Sequence, residues 1–306
     1  MHKTRGGRLW RRIWAARYLY LMLLPVFLYY VIFRYGPMLG LSIAFKNYNA
    51  FLGFDKSPWV GFKYFEQFFN SVYLWRLVRN TLLINLYDLL FNFPAAIILA
   101  LLINEVQKRR FKKTVQTITY LPYFISSVVI ASMLVQFLSP SSGIINNLIA
   151  SLGGERQYFM VQPESFRTIY TLMNLWKSIG WNSIIFLAAI SGINGELYEA
   201  CMVDGGGYLR RMWHITLPGI ASTIVVLLIM RLGHVMDAGY ETILLLQNNA
   251  NLETSDVIGT YVYRRGLKGG EYSYGTAVGM FQSVIGFALV IFANWLSRRY
   301  SETSLW

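Results

Sequence analysis

Three apolar runs of this 306-residue chain carry groups able to bind or pair. One holds Asp88, a second holds Asn174, Trp176, Lys177, Trp181 and Asn182, and a third holds Arg231, Asp237 and Glu241. An ionisable side chain at membrane depth is costly and marks a functional position by default. The second run joins indole faces to carboxamides. Rings stack on the C–H face of a sugar while amides bond its hydroxyls, so this run suits a carbohydrate, and Lys177 can pair the carboxylate of an acidic one. The structural alternative for Asp88, Lys177 and Arg231 is interhelical pairing, or a long side chain reaching for an interface. Catalysis is poorly served. Asp237 and Glu241, at i,i+4 spacing, form the nearest acid pair and have no partner base. His2, His214 and His234 are scattered and Cys201 is the sole cysteine, so neither a metal site nor an intrachain disulfide is expected.

A different kind of segment runs from Glu199 to Pro218. It is polar and glycine-bearing, and it lies between long apolar runs. Broken backbone facing lipid leaves polar groups unsatisfied, so the segment belongs outside the hydrocarbon. Ala200 and Cys201 let another surface approach closely, while Glu199 and Asp204 offer charge to cations on it. Gly205, Gly206 and Gly207 break the helix. A second helix, about Tyr208 to Leu217, then leaves at a new angle until Pro218 stops it.

These residues must be positioned by a membrane bundle. The chain is 55% hydrophobic and 14% charged, with apolar runs recurring to its last residues. Helical spans are expected at about Tyr18–Phe45, Leu74–Asn104, Thr114–Leu138, Glu164–Ile190, Gly219–Leu246 and Tyr274–Leu296. The predicted architecture is therefore all-α and polytopic: residues 1–17 a basic tail, 18–298 a six-span domain with a loop at about 191–218, and 299–306 a second tail. The first span should bend at Pro25 and at Gly36-Pro37. The net charge of +13 would suggest nucleic acid in a soluble chain. Here it follows the positive-inside rule. Six Lys or Arg precede Tyr18, five lie in Lys108–Lys113, and Arg210, Arg211, Arg298 and Arg299 fall on the same side. That side, with both termini and the Glu199–Pro218 loop, is predicted to be cytoplasmic. Aromatics between Asn47 and Asn70 should lie against headgroups, and the Gly275, Gly279, Ser283, Gly286 face reads as a packing seam.

Read as E-A-A-x-x-D-G-A-x5-F-x-x-I-x-L-P, the loop resembles the signature of binding-protein-dependent ABC importer permeases. Glu199, Ala200, Asp204, Gly205, Ile215, Leu217 and Pro218 match. Cys201 and Gly206 stand where alanine is usual, and Met212 where phenylalanine is usual. Leu24-Pro25, Tyr35-Gly36-Pro37, Ser42–Asn49, Trp59–Phe62, Asn80–Leu82, Trp176–Trp181 and Asp256–Tyr263 are similar to the carbohydrate branch, including alginate and pectin-fragment permeases. The resemblance implies a six-span permease fold in the bacterial cytoplasmic membrane. It also implies a second, homologous permease (a heterodimer), two ATP-binding subunits and an extracytoplasmic solute-binding protein that delivers an oligosaccharide. The loop would be the coupling helix that seats in the ATPase. No phosphate-binding G-x-x-x-x-G-K-[ST] motif occurs, so ATP and Mg are expected in the partner subunits and no cofactor in this chain. An ion-coupled carrier or a membrane enzyme would leave the loop without a purpose.

Overall fold

The structure, a computed structural model, describes residues 14–300. The terminal tails expected at 1–17 and 299–306 lie largely outside these residues. Among the described residues the chain is helical throughout, with one isolated β-bridge, Lys46 to Trp59, and no named strand.

Three helices are long and apolar enough to cross a membrane: α1 (Arg17–Phe45), α3 (Leu74–Glu105) and the last helix, α14 (Tyr272–Tyr300). Between them run α2 (Lys63–Phe69), α4 (Arg109–Phe124), α5 (Ser127–Phe137), α6 (Ile144–Ser151), α7 (Pro163–Ser191) and α8 (Gly195–Val203). These are followed by α9 (Tyr208–Gly219), α10 (Ala221–Gly233), α11 (Tyr240–Leu246), α12 (Leu252–Ser255) and α13 (Ile258–Tyr261). Sharp bends separate α4 from α5 (96°), α7 from α8 (74°) and α9 from α10 (59°). Counting each bent pair as one span gives six.

The expected second and fourth spans match α3 and α7 to within a residue at each end. The third and fifth differ. Hydropathy continues through both, but the third breaks at Ile125–Ser126, where Ser126 caps α5 by accepting from the Val129 amide. The fifth breaks between Gly233 and Tyr240, with Gly239 in the left-handed region at φ 61°. Such an interruption at membrane depth is tolerated only where it is buried in protein or lines a cavity.

In three places a wide π turn ends two residues before a proline: Val31–Tyr35 before Pro37, Asp88–Asn92 before Pro94, and Met212–Thr216 before Pro218. Proline has no N–H and its ring crowds the carbonyl four residues back; the wider turn gives that carbonyl room while the helix continues. Pro218 therefore does not stop its helix as expected. Helical geometry runs on to Gly219 and the chain bends at Ile220.

Apolar packing holds the bundle at three levels. Phe68, Leu77, Tyr261, Tyr274 and Val278 pack at one end; Ile84, Ile130, Phe166, Tyr170 and Ile243 pack in the middle; Ala96, Ala100, Phe186, Ile190 and Ile220 pack at the α8 end. Glycines permit the closest crossings. A Cβ on Gly180 would lie 2.1 Å from the Thr119 carbonyl oxygen, and one on Gly286 would lie 2.8 Å from that of Gly233. Of the predicted seam on α14, Gly275 abuts Gly266 and Gly286 abuts α10, whereas Gly279 faces open space. Helix α1 differs from the rest: it is exposed along its length until its last turn, where Ala44 is buried against α14.

Candidate functional site

The wide turn at Asp88–Asn92 carries Asp88 into the middle of the bundle, where it is 7% exposed. One carboxylate oxygen accepts from Asn92 Nδ2 at 2.5 Å and Asn174 Nδ2 at 2.7 Å, and the other is paired with Arg231 of α10. A buried carboxylate needs a counter-charge and donors for its remaining lone pairs. Arg231 and two amides supply them.

Beside this pair opens a cavity of about 430 Å3 lined by Asn85, Asp88, Tyr170, Asn174, Arg231, His234, Asp237, Ala238, Gly239 and Thr242 with apolar neighbours. The break in the fifth span forms part of its wall. The Ala238 carbonyl, freed by the break, accepts the Tyr170 hydroxyl at 2.9 Å, and the Gly239 amide is 3.4 Å from Asp237 Oδ1. The interrupted backbone is thus satisfied by protein on one side and faces the cavity on the other. Amides, hydroxyls, an imidazole, a neutralised ion pair and the Asp237 carboxylate make a hydrogen-bonding surface for a polar group.

Four of the sequence candidates, Asp88, Asn174, Arg231 and Asp237, meet here, and the others do not join them. Lys177 donates to Ser127 Oγ at 2.7 Å, across the α5 interface. Trp176 lines a separate apolar hollow between α5 and α7 with Met133, Leu134 and Phe137. Trp181 stacks on Tyr123 with centroids 4.4 Å apart. Asn182 borders a small side pocket with Phe93 and Arg231, and Glu241 is exposed and outside the cavity. Helical periodicity explains part of the scatter. Trp176, two positions on from Asn174, points away from its face. Lys177, three positions on, starts near that face and is drawn off by its bond to Ser127. Tyr170, His234 and Thr242 escaped the sequence reading. Tyr170 lies one turn before Asn174 on α7, a spacing that would have found it.

At the far end, α8 and α9 form a projecting knob. Glu199, Ala200 and Cys201 lie on α8, which Asn194 caps by accepting from the Glu196 amide. The helix ends in a Schellman turn: the Gly206 amide donates to the Cys201 carbonyl at 2.7 Å and the Gly205 amide to that of Met202 at 3.1 Å. Gly205 adopts φ 72°, and a Cβ on Gly206 would fall 2.3 Å from Cys201 Sγ. Asp204 closes the helix. Met212 and Leu217 pack against the Ala96–Phe186 cluster, Ile215 is half-buried, and Pro218 is exposed. Arg211 pairs with Glu105 at 3.5 Å, fixing the knob to the end of α3. Its free face presents exposed Leu197, Val203 and Leu209 beside Glu199 and Asp204. Among the described residues no group of His, Cys, Asp and Glu is placed to hold a metal.

Residues 92–302, which include the knob and the second half of the cavity, match the family described as binding-protein-dependent transport system inner membrane component. The chain belongs to that family. It is a membrane permease subunit of the ABC importer type and not an enzyme. The permease is 47% identical to protein LplB of Bacillus subtilis over 94% of this chain and 91% of that one. It is 44% identical to the polygalacturonan/rhamnogalacturonan transport system permease protein YteP of the same organism, over 99% and 95%. A chain in the crystal structure of a bacterial alginate ABC transporter, in complex with an alginate pentasaccharide-bound periplasmic protein, superposes with a TM-score of 0.90. It shares 47% identity, and the match covers 97% of this chain and 100% of that one.

Proposed function

We propose that this permease carries an oligosaccharide or polysaccharide fragment through the Asp88–Arg231 cavity. A second, homologous permease would complete the pathway, and an extracytoplasmic solute-binding protein would deliver the sugar. Two partner ATPases, which hold ATP and Mg, would drive it through the α8–α9 knob. Glu199, Ala200, Asp204 and Gly205 form the seat on the ATPase; Met212, Ile215 and Leu217 transmit its movement to α3, α7 and α10. Both termini and the knob face the cytoplasm, since Lys108–Lys113 at the start of α4 lies at the same end as Arg211 and Arg298.

The observation that carries this reading is the interrupted fifth span. A polar cavity walled by broken helix at mid-depth is the usual form of a solute site in a transporter. The relatives' names point to acidic saccharides. Neither nearby cation supports that choice: Lys177 lies outside the cavity and bonds Ser127, and Arg231 is neutralised by Asp88. Tagged permease recovered from its native membrane in mild detergent should bring a second permease, two ATPase copies and a solute-binding protein. The recovered complex should then hydrolyse ATP faster with binding protein loaded from a panel of galacturonate, mannuronate and xylose pentamers. Recovery without any ATPase contradicts the reading.

A further inference from the structure

At the end of the bundle opposite the knob lies a second cavity of about 340 Å3, lined by Asn47, Tyr48, Tyr64, Gln67, Arg265, Glu271, Tyr272, Ser273 and Tyr274 among others. It shares no lining residue with the central cavity. Its walls come from the segment after α1, from α2, from the turn after α13 and from the start of α14, and they are cross-tied. The Tyr48 amide donates to Ser273 Oγ at 2.9 Å, and that hydroxyl donates to the Lys46 carbonyl at 2.6 Å. The Tyr64 hydroxyl donates to Asn47 Oδ1 at 2.6 Å, which fixes the amide and leaves its N–H groups available. Arg265 grips Glu271 at 2.6 and 2.8 Å from one nitrogen, and its guanidinium stands over the Tyr274 ring at 5.1 Å.

We propose that this pocket is a carbohydrate subsite, taking one sugar residue of the transported chain at the outer mouth. The inference rests on the transport reading above for its choice of ligand. Four features support it. Tyr272 is 40% exposed and set edge-on to Tyr48 at 6.0 Å, offering a ring face for stacking. The Gln67 amide and the Tyr48 and Tyr272 hydroxyls bond no group among the described residues, although they edge a concave wall. The Arg265–Glu271 pair presents donors and acceptors side by side, as neighbouring sugar hydroxyls require, and its neutrality makes the subsite indifferent to substrate charge. The volume lies in the range of small-molecule sites. A docked protein surface is the rival occupant. It is better served by the projecting Phe51, Trp59 and Phe62 than by a polar concavity.

The test uses the assembled transporter in nanodiscs, with galacturonate and xylose pentamers as probes. Saturation-transfer NMR without binding protein is compared with binding-protein-stimulated ATP hydrolysis. Tyr272→Ala and Gln67→Ala should weaken direct sugar binding and raise the half-saturating sugar concentration about three- to tenfold. Tyr272→Phe, which keeps the ring and loses one hydroxyl, should weaken binding less than Tyr272→Ala, and docking of ligand-free binding protein should be unchanged. Alanine variants that bind both pentamers as wild type does would overturn the subsite. So would variants that lose only the docking of ligand-free binding protein, since the pocket would then be a protein contact. Wild-type complex that answers no saccharide fails earlier, at the transport reading itself.

Discussion

Two of the three departures from the family pattern in the knob, Cys201 and Gly206, form a matched pair. Cys201 Sγ fills the space that a methyl at position 206 would take, so the glycine accompanies the larger residue. Gly206→Ala should therefore reduce recovery of the ATPase with the permease, and the double variant Cys201→Ala with Gly206→Ala should regain part of it; equal recovery from both would deny the coupling. Gly205→Ala forces a Cβ into the left-handed region, at a cost of about 1–2 kcal/mol. In the cavity, Asp88→Asn leaves Arg231 without its counter-charge. The single variant should lower the thermal midpoint of the purified permease, and Asp88→Asn combined with Arg231→Gln should recover part of the loss. The sequence showed that Asp88 and Arg231 lie at membrane depth, yet not that they meet, because a pairing across 143 residues leaves no local periodic signal. Lys177 illustrates the opposite error. Proximity along the chain grouped it with Asn174, and its bond to Ser127 draws it away.

Helices were legible wherever apolar runs were long and unbroken, as in α3, α7 and α14. Interruptions were not, because the fifth run stays apolar enough to pass for one span while the carbonyl of Ala238 needs a partner from another helix. Tyr170 is that partner. Tyr170→Phe should strand a buried carbonyl and lower stability by about 1–3 kcal/mol, measured as a fall in thermal midpoint. If the midpoint does not move, the break is held by something else. A second element-level constraint sits near the outer end. Asp256 is 0% exposed, accepts from Arg76 at 2.8 Å and Arg264 at 2.9 and 3.0 Å, and ties the α12–α13 corner to α3. The Asp256–Tyr263 stretch, similar to the family in sequence, is the clamp on an otherwise irregular loop. Asp256→Asn removes the charge between two guanidinium groups and should cost about 3 kcal/mol, with loss of folded permease in detergent as the readout.

As a whole molecule the chain is, in the proposed reading, one half of a pathway. Helix α1 stands almost clear of the helices that follow it, presenting Leu21, Met22, Phe27 and Phe33 outward to lipid or to the proposed second permease. Hydropathy and basic clusters sufficed to foresee the all-helical class, and the signature loop the family. The cavity needed the fold, since its walls come from α3, α7, α10 and α11. The central claim is that ATP hydrolysis in partner subunits reaches this cavity through the knob. Its most direct test is binding-protein-stimulated ATP hydrolysis and sugar uptake, measured together in proteoliposomes of the co-purified complex carrying wild-type permease or Asp204→Arg. The account predicts that the wild type couples the two. The variant should lose the stimulation and the uptake while its binding protein still docks from outside. Undiminished, sugar-dependent hydrolysis and uptake in the variant would contradict it.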